Sequence, residues 1–216
     1  MRIIHLARID STNDEAKRRI DAGLVDGLCA IIAGEQTAGR GTRGRSWSSP
    51  AGAGLYLSLV DARQGPDRRP VTTLYTLAAG VAVAEVIREQ AGVDVRLKPV
   101  NDLILRGAKI GGILTESLVR GDRMIALVVG VGVNLRRAPR FVEPGAVMPT
   151  SLEEHLDASS VDHLIEEGMS AMIIDRLVRW IDRVGSDQVD HVLQAWNALR
   201  VTGAPEYTTR DVLPGA

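Results

Sequence analysis

The residues best suited to chemistry lie between Gly34 and Gly54. Gly39, Gly41, Gly44 and Gly52 fall inside this stretch, together with Arg40, Arg43 and Arg45. No apolar period runs through it, so it is a loop, and a loop this long inside a compact domain is usually functional. Glycines let backbone amides approach a ligand closely, and arginines supply fixed bidentate donors. Two readings follow: a cationic flap for a phosphate or carboxylate, or a solvated basic loop. Gly39-Arg40-Gly41-Thr42-Arg43-Gly44 matches G-x-G-x-x-G by letter. That dinucleotide fingerprint needs a helix opening at its end, where the helix N-terminus meets the pyrophosphate. Here Arg45-Ser46-Trp47-Ser48-Ser49-Pro50 and then a strand follow. The stretch from Gly34 to Arg40 also lacks the lysine and following Ser/Thr of a Walker A loop.

The elements that must position this loop can be read on either side. Thr12 and Glu15 have capping-box spacing, Ala16 and Ile20 share a face, and Gly23 stops a helix predicted over 12–22. Leu28–Ala33 and Leu55–Val60 read as strands. Thr72–Gln90 is apolar over most of its surface and reads as an interior helix. Val93–Lys98, Leu103–Leu105, Lys109–Leu118 and Met124–Gly132 are short strands separated by the turn signals Arg106-Gly107 and Arg120-Gly121-Asp122. Tight turns between consecutive strands predict an antiparallel meander. Residues 135–150, with Pro139, Pro144 and Pro149, form a surface connection. Helices are predicted near 161–183 and 187–199, and 201–216 form a short tail. The pattern is α+β: a mixed, largely antiparallel sheet packed with helices.

Composition narrows the function classes. The 216 residues carry 26 Lys+Arg against 27 Asp+Glu, a net charge of −1, which removes the electrostatic case for bulk nucleic-acid binding. Aromatics are only 3%, too few for a single-strand stacking platform. The one cysteine, Cys29, excludes a disulfide framework and a cysteine-rich zinc site, and its apolar run Leu28–Ile32 makes it a small buried hydrophobe. No signal-peptide core or membrane-spanning stretch is present, so the expected compartment is the cytoplasm.

Four segments occur in a telling order. They are Asp10-Ser-Thr-Asn13; Glu35-Gln-Thr-Ala-Gly-Arg-Gly-Thr-Arg-Gly-Arg-Ser-Trp47 with Ser49-Pro50 behind it; Lys98-Pro-Val-Asn-Asp102; and Lys109-Ile-Gly-Gly-Ile-Leu-Thr-Glu116 followed by Gly130-Val-Gly-Val-Asn134. The set resembles the catalytic domain of biotin–protein ligases, of the biotin/lipoate ligase superfamily, over roughly residues 5–200. The resemblance implies a fold like that of class II aminoacyl-tRNA synthetases, a catalytic domain over 1–200, and a tail over 201–216 where a C-terminal SH3-like domain would begin. It implies biotin and ATP as substrates, with Mg2+. Biotinoyl-5′-AMP forms first; a lysine of a biotin carboxyl carrier protein then attacks the anhydride. No protein nucleophile is needed, only positive charge at the α-phosphate.

Residue roles transfer by position. Ser11, Thr12, Asn13, Gln36, Gly39, Arg40, Gly41, Thr42, Lys109 and Gly112 match biotin contacts. Arg40, Arg43, Arg45, Trp47, Asn101, Asp102, Lys109 and Asn134 match the nucleotide and adenylate contacts. Lys109, Arg40 and Asp102 are the catalytic candidates, and Asp102 with the phosphates is the candidate Mg2+ site. Plainer roles stand beside these: an N-cap for Ser11 or Thr12, a core tryptophan for Trp47, a solvated strand end for Lys109, a turn pair for Asn101-Asp102.

Three departures from the family pattern count against full activity. Thr42 stands where an arginine is usual. Lys98-Pro99-Val100-Asn101-Asp102 lacks a tryptophan and shifts the proline. The chain stops where the C-terminal domain would begin. An attenuated or non-catalytic binder of biotin or nucleotide is therefore an alternative, as is a lipoate or octanoate ligase, whose different glycine-rich segment is not found here. No operator-binding helix-turn-helix precedes the domain, so DNA binding is not expected; the resemblance allows a homodimer.

Overall fold

A computed structural model describes residues 1–63, 72–121, 123–140, 145–186 and 188–213. Asp122 of the second turn signal, Pro144, the first residue of the predicted 187–199 helix and residues 214–216 lie outside them. Seven strands form one sheet in the order β1-β2-β3-β7-β6-β5-β4. They are β1 (Arg2–Leu6), β2 (Leu28–Ala33), β3 (Gly54–Asp61), β4 (Val95–Lys98), β5 (Asp102–Leu105), β6 (Ala108–Arg120) and β7 (Arg123–Asn134). Only the β1–β2 pair is parallel. The predicted α+β architecture with a largely antiparallel sheet is present.

Strand alternation sends side chains to two cores. On β7, Leu127, Val129, Val131 and Val133 join the large core, while Ala126 and Val128 join a smaller one with Cys29, Ile31, Val60 and Ala16. The helix α1 (Thr12–Asp21) packs on the smaller core. On the opposite face lies α2 (Thr72–Ala91), with α4 (Met169–Gly185) and α5 (Val189–Leu199) packed beyond it. This sandwiching explains why α2 is buried nearly all round from Leu74 to Ala84. Its Glu85 does not go unpaired: Oε2 accepts from Trp180 Nε1 at 2.9 Å and Arg176 Nη1 at 2.8 Å. Cys29 is 2% exposed, and burial pushes its thiol pKa up.

Two expectations need correction, the cap of the first helix and the single helix over 161–183, and two elements stand beyond what the sequence predicts. Arg2–Leu6 is a strand that no sequence pattern marks, and it pairs in parallel with β2 at the sheet edge. The N-cap of α1 is Ser11, whose side chain accepts from the Asp14 amide, so Thr12 is not the cap. The predicted 161–183 helix is two, α3 (Ala158–Glu166) and α4, divided at Gly168 with φ +80°. In the tail, α6 (Thr209–Val212) forms under a capping box from Thr208 and Asp211. The tail also packs on the body: Val201 N donates to Leu97 O at 2.8 Å, and Tyr207 meets Trp196 edge-on at 4.9 Å.

Candidate active site

A cavity of about 230 Å³ opens on the α1 face of the sheet, between the start of α1, the glycine-arginine loop, β6, β7 and the 145–149 segment. Its floor is shaped by missing side chains. A Cβ on Gly132 would come within 2.5 Å of Trp47 Nε1, and one on Gly130 would overlap Asn13 Oδ1. Glycine is required here by close approach of the cavity walls.

One end is polar and uncharged. Because Ser11 does the capping, Thr12 and Asn13 are free to turn inward. Thr12 N and Oγ1 donate to Gln36 Oε1 at 2.8 and 3.1 Å, and Gln36 Nε2 donates to Ser49 Oγ at 2.8 Å. The buried Ser58 donates to Thr12 Oγ1 at 2.8 Å or to Asn13 Oδ1 at 2.6 Å. Ser11, Thr12 and Asn13 are each under 5% exposed, so these groups sit in a fixed frame rather than in solvent.

The other end is ionic. Lys109 Nζ lies 2.5 Å from Asp102 Oδ1 and 5.4 Å from the centre of the Trp47 ring. Its strand end is fixed by the 145–150 segment, since Lys109 N donates to Met148 O at 2.7 Å and Thr150 N to Lys109 O at 2.9 Å. Asn101 Nδ2 donates to Ile113 O, and Asn134 Nδ2 to Thr150 O. Trp47 is only half buried, and its indole N–H has no hydrogen-bond partner among the described residues. A plain core tryptophan would be covered; this one forms a wall.

The loop runs over the middle. Its base is fastened by isolated bridges, Ile9 to Gln36, Gln36 to Ser49 and Arg40 to Ser46. The tip turns through a short 3-10 segment, Thr42–Gly44, where Arg43 and Gly44 take φ of +59° and +74°. Gly41, Thr42 and Arg45 line the cavity. Arg43 is exposed and Gly39 packs behind Trp47 and Ser49; neither lines it. All the other transferred positions do, Gly112 included.

Arg40 is not the free cation that the loop's composition suggested. Its Nη2 donates to Glu116 Oε2, and its Nε lies 3.3 Å from Asp14 Oδ1. Lys17 Nζ closes the ring at 2.6 Å from Glu116 Oε1 and 3.7 Å from Asp14 Oδ1. Burial pushes the Glu116 carboxyl up, but hydrogen bonds from Lys17, Arg40 and Asn13 outweigh it and hold the pKa below its ordinary value. Glu116, Lys17 and Ser58 are partners of the site to which the motifs assign no role. A signal existed for Glu116: strand alternation puts it on the face of Gly112 and Leu114.

No group of three His, Cys, Asp or Glu side chains among the described residues could cage a metal ion, and no helix among them is long and apolar enough to cross a membrane.

The chain matches the biotin/lipoate A/B protein ligase family over residues 5–134. It is 36% identical over 198 residues to a biotin–[acetyl-CoA-carboxylase] ligase of Paracoccus denitrificans, covering 89% of this chain and 78% of that protein. It is 41% identical over 192 residues to the bifunctional ligase/repressor BirA of Escherichia coli K12, covering 88% of this chain and 57% of that one. A biotin protein ligase from Aquifex aeolicus, solved with biotin and ATP, shares the fold at a TM-score of 0.71 and 24% identity, covering 93% of this chain and 78% of that one.

Proposed function

The chain belongs to the biotin/lipoate A/B protein ligase family, and we propose that it is an ATP-dependent biotin–protein ligase acting on a lysine of a biotin carboxyl carrier protein. The observation that carries this reading is one cavity with an uncharged polar end at Ser11, Thr12, Asn13 and Gln36 and an ionic end at Lys109 and Asp102. A neutral ureido ring suits the first end, because its N–H and C=O groups match short, pre-set donors and acceptors. A carboxylate beside a phosphate suits the second.

Two bonds are exchanged. A biotin carboxylate oxygen attacks the α-phosphorus of ATP, the bond to pyrophosphate breaks, and biotinyl-5′-AMP forms. The carrier lysine amine then attacks the acyl carbon, loses a proton and expels AMP. Lys109 turns from Asp102 toward the carboxylate and α-phosphate as negative charge gathers there. Arg45 adds charge from the loop, Trp47 stands beside the adenylate, and Asn101 and Asn134 fix the backbone around it. Among the described residues that line the cavity Asp102 is the carboxylate, and together with the phosphates it would hold Mg2+, an ion that needs only one or two protein carboxylates there and would offset phosphate charge. The cytoplasm is the compartment this reaction implies.

The test is pyrophosphate release from ATP, with and without biotin, then transfer of labelled biotin to a carrier domain. Biotin-dependent release and a labelled lysine are the expected results. Release that ignores biotin, or none at all, would refute the reading.

A further inference from the structure

Glu116 sits in mid-strand on β6, yet each of its oxygens is engaged by residues from elsewhere in the chain. Oε2 accepts from Asn13 Nδ2 at 2.9 Å and from Arg40 Nη2; Oε1 accepts from Lys17 Nζ at 2.6 Å. One carboxylate thus ties the start of α1, which frames the uncharged end of the cavity, to the first arginine of the loop. With Asp14, Lys17 and Arg40 it makes a closed ring of two acids and two bases.

A ring of this kind leaves little net charge to attract a distant anion, so steering is not its use. Its effect is geometric. Arg40 donates to Glu116 through Nη2, its buried Nε lies 3.3 Å from Asp14 Oδ1 without a hydrogen bond, and Nη1 donates to nothing among the described residues, while the side chain lines the cavity. A guanidinium is a planar fork, so fixing one edge fixes where the other edge points. On a glycine-rich loop this matters more than it would on a helix, because the backbone alone does not hold the side chain. Lys17 does not line the cavity, and its pairing with Oε1 keeps the carboxylate ionised and turned toward Arg40.

We propose that Glu116 is a positioning residue: it anchors Arg40 across one edge so that Nη1 is held ready for the substrate's carboxylate or phosphate oxygen. It touches no reacting atom itself. The kinetic part of the test rests on the ligase reading; the ligand-free part does not.

Glu116→Gln keeps the size and an acceptor for Asn13 but removes the charge that holds Arg40 and Lys17. In the unliganded protein, tryptic nicking after Arg40, Arg43 and Arg45, identified by fragment mass, should run several-fold faster than in wild type. In biotin-dependent adenylation, kcat/KM should fall about ten- to a hundredfold, the range expected for losing a hydrogen bond to a charged group. In an Arg40→Ala background the same substitution should cost less than about twofold, because residues that act through one another are not additive. Equal losses in both backgrounds, or unchanged nicking, overturn the proposal. A wild-type chain that releases no pyrophosphate would sink the ligase reading and leave the nicking rate to decide Glu116. Should E116Q not fold, Glu116→Asp, which draws the carboxylate back by one methylene, is measured the same way.

Discussion

Replacing Lys109 with alanine should separate two effects that the wild-type side chain combines. Lys109 and Asp102 are 19% and 14% exposed, and their charges stand 2.5 Å apart. Removing the lysine leaves Asp102 without that partner, at a cost to stability of about 1–3 kcal/mol for a poorly solvated group. It also removes a cation from the ionic end of the cavity. Losing one preorganised donor to developing negative charge costs about 2.7–4 kcal/mol, or roughly 10²–10³ in rate. The stability effect is isolated with Lys109→Ala combined with Asp102→Asn, which takes away the stranded charge; because Asp102 is also the carboxylate fitted to Mg2+, Asp102→Asn alone is the control for the rate. The double variant should regain most of the melting temperature and none of the adenylation rate. Wild type and these variants would be followed by thermal melting and by biotin-dependent pyrophosphate release. A Lys109→Ala protein with wild-type release would refute the assigned role. A double variant that recovers rate along with stability would show that Lys109 matters only as a partner for Asp102.

Gly132→Ala should push Trp47 off the cavity wall, since the new methyl would meet the indole at 2.5–2.9 Å; overpacking of this kind costs about 1–3 kcal/mol, visible in melting and in Trp47 fluorescence. Unchanged fluorescence would mean that the wall adjusts elsewhere. Thr42 lines the cavity with only a hydroxyl, which accepts from Arg45, so Thr42→Arg should slow dissociation of labelled biotinyl-5′-AMP about tenfold, consistent with one charge-assisted contact; equal off-rates at fixed salt would remove position 42 from the adenylate site. Asp10 pairs with both Arg18 Nη atoms at 2.7–2.8 Å, and that bond lowers its pKa to about 2. Its contribution is therefore full above the unfolded value of 3.8 and is lost as pH falls toward 2. The pair is solvent-screened, so Asp10→Asn should cost only about 0.5–1 kcal/mol at pH 6 and almost nothing at pH 2; a loss that persists at pH 2 would contradict the linkage.

Much of the sheet was legible because its strands are apolar runs punctuated by glycine turns, and α2 because its apolar surface had to be interior. The edge strand β1 was not, since Arg2-Ile3-Ile4-His5-Leu6 has no clean alternation and its pairing with β2 is parallel and joined through α1. The division at Gly168 was hidden because apolar residues continue on both sides of it. In the site, Ser11 to Asn13, Gln36 and Lys109 could be placed from their motifs. The partners of Arg40 could not: Glu116 lies 76 residues away along the chain, and a local reading counts arginines without knowing which acids fold against them. Composition alone overstated the loop as a source of free positive charge.

The position of Cys29 bears on how loop motion can be observed. The chain's single thiol lies inside the smaller core, 2% exposed and with its pKa raised by burial, so a maleimide dye at neutral pH meets little thiolate there. A cysteine placed at the exposed loop tip, at Arg43, would then be the accessible labelling target without first mutating the native one. A fluorophore at that position, on a loop whose base is fastened by three bridges, would report movement of the tip against a steady background. Any displacement of the tip on adding biotin or ATP could then be timed in the otherwise native protein, ligand by ligand.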